Sequence, residues 1–165
     1  MKIRPIESDE YARLGMLTLD AYTTLEGHIS EPDYEEELAD VRTRVEAPAT
    51  EVLVAVADDG ALLGGVTYVI DETSPYAENS IDGAASIRML AVDRTLRRSG
   101  TGEALVRECI ERARRDGRAE VFLHSTPWMT AAHKLYEKLG FVRDPDHDVA
   151  FTPNVMGLAY RLALS

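Results

Sequence analysis

The stretch Leu90-Ala91-Val92-Asp93-Arg94-Thr95-Leu96-Arg97-Arg98-Ser99-Gly100-Thr101-Gly102-Glu103-Ala104-Leu105 runs from strand through a basic loop and two glycines into a helix. Upstream, Ser86 to Val92 reads as a strand, and its apolar run Met89-Leu90-Ala91-Val92 suits a central strand buried on both faces. Downstream, Leu105, Val106, Cys109, Ile110 and Ala113 form an apolar stripe on a helix from about Thr101 to Asp116, which Gly117 closes. Gly100 and Gly102 let backbone amides approach an anion with no Cβ in the way. The helix start directs its unpaired N–H groups and the positive end of its dipole to the same place. The pattern points to a phosphate-binding turn.

Two common phosphate loops do not fit. A dinucleotide-binding fingerprint needs a third glycine where Leu105 stands. The Gly-Lys-Ser/Thr of a nucleotide-triphosphate loop occurs nowhere in the chain. What remains, Arg97-x-x-Gly100-x-Gly102 directly after a Leu90-x-Val92 strand, resembles the pyrophosphate-binding motif of the GNAT superfamily of acyl-CoA-dependent N-acyltransferases. About thirty-five residues on, Ala132-His133-Lys134-Leu135-Tyr136-Glu137-Lys138-Leu139-Gly140-Phe141 is similar to that superfamily's second signature. The resemblance covers residues 86–142 and is architectural over 1–85.

The resemblance implies an α/β fold: a mixed, mostly antiparallel central sheet of about six to seven strands, flanked by about four helices and splayed between the fourth and fifth strands. It implies acetyl-CoA as co-substrate and direct acetyl transfer to a primary amine, with no metal. The backbone of Met89, Leu90, Ala91 and Val92 would pair with the pantetheine arm. The turn Arg97, Arg98, Ser99, Gly100, Thr101 and Gly102 would hold the pyrophosphate, with Arg94 beside it. The thioester would lie between that strand and Val121–His124, polarised by an amide near Leu90. Tyr136 would protonate the departing thiolate. In many members a glutamate on the central strand serves as base; Ser86 stands at that position and cannot. Glu26, His28 and Glu31 are substitutes in the loop that usually walls the acceptor pocket. Met129 occupies the place of a frequent asparagine, whose role toward the cofactor would pass to Ser125 or Thr126. A non-catalytic acyl-CoA-binding module of the same fold is the alternative reading, and a structural domain that has lost the cofactor is a further one.

The remaining sequence sets the frame. The 165 residues suit one domain, 1–165, with 45% apolar and 28% charged residues. The longest nearly apolar run, Ala61 to Ile70, is far short of the roughly 20 residues that cross a bilayer. The acidic start carries no apolar leader, so a cytoplasmic protein without a membrane partner is expected. A net charge of −11 argues against nucleic acid. Yet residues 88–118 hold nine arginines against five acids, while residues 1–40 hold three bases against eleven acids. A basic island in an acidic chain suits a small polyanionic ligand, and the acidic first segment suits a cationic small-molecule acceptor. A peptide or protein N-terminus is the alternative acceptor. Dimerisation is common in the superfamily, and a homodimer is allowed for on that basis alone. The four histidines (28, 124, 133, 147) have no i, i+4 pairing for a metal, and the lone Cys109 lies in an apolar stripe.

Periodicity outlines the other elements. A strand at Ile3 and Ile6 precedes a helix Asp9–Tyr22 with Ser8 as N-cap, and a second helix runs Asp33–Glu46. Strands 52–57 and 62–70 form a hairpin. Strand 121–124, helix 130–139 and strands 141–143 and 155–164 complete the chain, with Arg143–Asp148 as a turn-rich loop bordering the acceptor side.

Overall fold

Alternating apolar residues and glycine punctuation build one sheet in the computed structural model, which describes residues 1–77, 81–96 and 99–165. The strands are β1 (Lys2–Pro5), β2 (Thr50–Val56), β3 (Leu62–Val69), β4 (Ala84–Val92), β5 (Glu120–Ser125), β6 (Val142–Arg143), β7 (Val149–Thr152) and β8 (Val155–Ala163). Their order is β1-β2-β3-β4-β5-β8-β6, with β7 also paired to β8. Every pairing is antiparallel except β4 with β5. Among the described residues the sheet has eight strands, one more than the upper expectation, because β7 lies in what reads as loop.

The helices are α1 (Tyr11–Thr23), α2 (Pro32–Ala39), α3 (Val41–Glu46), α4 (Thr101–Arg115) and α5 (Thr130–Lys138). Two expectations are corrected. Ser8 does not cap α1; a 3-10 turn Ser8–Glu10 precedes the helix, and Glu10 accepts the Glu7 amide at 2.9 Å. The expected helix 33–46 is two helices broken at Asp40, whose backbone leaves helical angles and whose carboxylate accepts the Thr43 amide at 3.2 Å. The apolar spacing of Tyr34, Leu38, Val41 and Val45 runs across the break and conceals it.

The two faces of the sheet bury separate clusters. On one, Leu105, Val106, Cys109, Ile110 and Ala113 of α4, with Tyr136 of α5, pack against Leu53, Ala55, Val66, Ala85, Ile87, Val121 and Leu123. On the other, Leu14 of α1 and Val41 of α3 cover Val52, Val54 and Val56. Each such fully buried aliphatic side chain contributes about 1.5–3 kcal/mol. Burial also raises the Cys109 thiol far above its ordinary pKa, which leaves it a core residue rather than a nucleophile. No described helix is long and apolar enough to cross a membrane.

Candidate active site

A break in the sheet makes the site. β4 and β5 pair only at Ala84–Glu120, Ala85–Val121 and Ser86–Phe122. Beyond Ser86 and Phe122 the facing backbone edges are parted, and a cavity of about 460 Å³ opens there. Its floor is Ile87, Arg88, Met89 and Leu90 of β4 with His124 and Ser125 of β5. The α1–α2 loop and α2 form one wall through His28, Glu31, Glu37 and Leu38, and Phe151, Thr152 and Val155 form another.

A bulge sits at this opening. Gly65 pairs with Ala91 and Thr67 with Arg88, so Met89 and Leu90 together stand opposite Val66. Met89 takes φ 54°, a conformation costing a β-unbranched residue on the order of 1 kcal/mol. The bulge sends Met89 to Leu38 and Tyr76 on the α2 face, the face on which Arg88 meets Glu37 at 3.8 Å. On β3, a Cβ at Gly64 would fall 2.6 Å from the Ala91 carbonyl oxygen, so only glycine lets β4 run this close.

The expected phosphate turn leads from β4 into α4. The Asp93 carboxylate accepts the Thr95 amide at 2.9 Å and its hydroxyl at 2.7 Å, and these bonds hold its pKa below the usual carboxylate range. Gly100 caps α4 at φ 87°, a left-handed conformation that glycine adopts freely. The Ala104 amide donates to the Gly100 carbonyl at 3.0 Å, so the amides of Thr101, Gly102 and Glu103 precede the first helical bond. Ser99 and Thr101 share a hydroxyl hydrogen bond of 2.8 Å. Arg97 and Arg98 lie outside the described residues. Arg94 pairs with Asp20 at 3.1 Å. Two cations given no site role from the sequence meet at the first turn of α4: Lys138 and Arg107 reach opposite oxygens of Glu103 at 2.6 and 3.2 Å. Only the Glu103–Arg107 spacing of four gave a signal for them.

Tyr136 is buried at 4% exposure and lines the cavity, its ring 5.6 Å from Phe141 and 5.9 Å from Tyr160. Next to it, His133 Nε2 lies 3.0 Å from the Thr126 carbonyl oxygen and 3.1 Å from Ser125 Oγ. A carbonyl only accepts, so Nε2 carries the hydrogen and cannot take one from Ser125. Burial lowers the His133 pKa, which keeps the ring neutral. This arrangement cannot activate Ser125 as an acyl-accepting nucleophile. Thr126 Oγ1, also in the cavity wall, is buried with no hydrogen-bond partner among the described residues. Of the substitutes for Ser86, His28 and Glu31 stand in the cavity wall, whereas Glu26 is exposed and outside it. Ser86 itself is buried at 4% exposure. His124, given no site role from the sequence, lines the same cavity and donates from Nε2 to the His147 carbonyl at 2.8 Å.

Known proteins share this architecture. The fold matches a GNAT-family acetyltransferase of Staphylococcus aureus Mu50 with a TM-score of 0.79, at 14% identity over 99% of both chains. It also matches yncA of Salmonella typhimurium, solved with its cofactor acetyl-CoA, with a TM-score of 0.66 at 19% identity over 100% of this chain and 94% of that one. The N-acetylaspartate synthetase of Danio rerio is 37% identical over 82 residues, 50% of this chain and only 28% of that protein's length. The model of the Acetyltransferase (GNAT) family matches residues 14–141, from α1 through both parted strands to Phe141. With that match across most of its length, the chain belongs to the GNAT acetyltransferase family.

Proposed function

We propose that the protein moves an acetyl group from acetyl-CoA directly to the primary amine of a small molecule. The observation that carries this reading is the ladder ending at Ser86–Phe122, which leaves two backbone edges facing a cavity, one of them on the strand that leads into the turn before α4. Unpaired strand amides suit the amide groups of a pantetheine arm along Met89 to Val92. The α4 N-terminus, Ser99 to Gly102 with Arg97 and Arg98, suits the pyrophosphate. A backbone amide near Leu90 would polarise the thioester oxygen, and Tyr136 would protonate the leaving thiolate. Thr126 Oγ1 would offer the cofactor the hydrogen bond that the Met129 side chain cannot make. Holding amine and thioester in near-attack geometry would supply most of the rate.

Among the described residues the cavity lining carries Glu31, Asp33 and Glu37 against one arginine, Arg88, which favours a cationic amine. A second reading rests on the relative named N-acetylaspartate synthetase. There the acceptor would be an amino-dicarboxylate, with Arg88 as the cation facing it. Thiol release with 1,4-diaminobutane, aspartate and a short peptide as acceptors separates the readings. Turnover of aspartate alone rejects the cationic acceptor. Tight acetyl-CoA binding with no thiol release from any amine indicates the non-catalytic module.

A further inference from the structure

We propose that Trp128 is the residue that limits the size of the acceptor. Where the α1–α2 loop meets it, the cavity wall bars a polypeptide N-terminus and leaves room for a small amine. The inference rests on the acetyl-transfer reading above. Trp128 follows β5 by three residues, across the gap from α2, whose Leu38 packs with Met89 of β4. The α1–α2 loop, residues 24–31, reaches over to it. Gly27 takes φ 89°, and a Cβ there would lie 3.1 Å from the Trp128 Cβ, so the loop backbone rests directly on the tryptophan. The next residue, His28, meets the indole edge-on, with ring centroids 6.5 Å apart. His28, Ile29, Trp128 and Met129 all line the cavity, so this contact is part of its wall. The segment tied to β4 and the segment leaving β5 thus touch where the parted strands alone would leave a slot.

The loop is held from its own side as well. The Glu35 carboxylate, in the first turn of α2, accepts the Ser30 hydroxyl at 2.9 Å and the Glu31 amide at 3.2 Å, and His28 Nε2 lies 3.9 Å from it. The His28 amide donates to the Leu25 carbonyl at 3.1 Å. An ordered loop excludes by clash what a pliant one would admit. The opposite wall is packed too, because the Phe151 ring lies over Gly157, where a Cβ would fall 2.5 Å from it.

Between these walls, about 460 Å³ must take both the thioester end of the cofactor and the acceptor. An amine of a few heavy atoms fits the remainder. A peptide brings further main chain and side chains, which would have to leave through the wall at Trp128. Discrimination of this kind comes from a clash with the wrong acceptor as much as from contacts with the right one. It acts on size and not on charge, so it applies equally to a diamine and to an amino-dicarboxylate.

The test compares wild type with Trp128→Ala by thiol release from acetyl-CoA. One acceptor is 1,4-diaminobutane, or aspartate if that is the amine turned over, and the other is tetra-alanine with a free N-terminus. In wild type, kcat/KM for the small amine should exceed that for the peptide by about 100-fold. In Trp128→Ala that ratio should fall about tenfold, with the peptide gaining, while acetyl-CoA still raises Tm. A wild type that turns over both acceptors equally, or a variant ratio within twofold of wild type, overturns the inference and leaves the acetyl-transfer reading standing. No thiol release from wild type with any amine overturns both. Should Trp128→Ala be unfolded or inactive, wild type decides, since Trp128 is the chain's only tryptophan. With CoA bound, the small amine should shield its fluorescence from acrylamide and tetra-alanine should not. Equal quenching with and without the small amine overturns the inference.

Discussion

Tyr136 lines the cavity with a ring packed on Phe141 and Tyr160, so removing its hydroxyl oxygen alone should separate chemistry from binding. Tyr136→Phe keeps the contacts with Phe141 and Tyr160. It should retain acetyl-CoA stabilisation but slow thiol release about 100-fold. A variant as fast as wild type would leave Tyr136 as a core residue. Gly102 offers the complementary case. A Cβ there would lie 3.6 Å from Leu135 and from Val92, an ordinary contact, so alanine fits the fold. Gly102→Trp would extend from the helix start into the space assigned to phosphate. At a ligand concentration 100 times Kd, acetyl-CoA should add about 2.7 kcal/mol to the wild type and nothing to Gly102→Trp. A thermal melt with and without acetyl-CoA reads both numbers. These side chains could be picked from sequence because glycine and a signature tyrosine stand out as residue types. The tautomer of His124 could not, since it depends on a carbonyl twenty-three positions away in the chain.

Arg44 shows what an element demands of one side chain. It is 1% exposed, and its guanidinium donates to the carbonyls of Glu37 at 2.7 Å, Leu38 at 3.2 Å and Asp40 at 3.4 Å, closing the C-terminal end of α2. Burial pushes its pKa down, though an arginine stays charged. Arg44→Leu leaves three carbonyls without their charged donor and should cost about 1.5–3 kcal/mol in denaturant unfolding. Because α2 carries Asp33 and Glu37 and starts just after Glu31, the variant should also raise the KM for the acceptor more than that for acetyl-CoA. At this scale the strand, the glycine turn and α4 were readable, because periods of 2 and 3.6 and glycine punctuation are local signals. The bulge at Met89–Leu90 was not, since no glycine or proline marks it on β4 and it is defined only by the register with β3. The α2–α3 break hid behind continuous apolar spacing, and β7 exists only through its pairing with β8.

Across the whole molecule, charge ties the last third of the chain together. Arg161 reaches both Glu120 and Asp144, and Arg143 grips both oxygens of Asp148, whose carboxylate also accepts the Ala159 amide at 2.7 Å. Hydrogen bonds from Arg161 and Arg143 hold the Asp144 and Asp148 carboxyls below their ordinary pKa. With folded values below the unfolded value of about 3.9, their contribution is present above that pH and disappears as pH falls through the folded values. Melting temperature should therefore drop below about pH 4. Asp148→Asn should melt lower than wild type at neutral pH and lose less between pH 5 and 3; equal slopes would count against this network. The arginines of α4 and the acids of α1 and α2 lie on opposite sides of the sheet, while Arg88 and Arg94 of the same basic segment reach Glu37 and Asp20. That separation follows from topology and was foreshadowed by the uneven distribution of charge. The parted strands have a wider consequence. An aperture framed by main chain survives exchange of almost any single side chain around it. Its lining can then diverge from one acceptor to another while the doorway through the sheet persists.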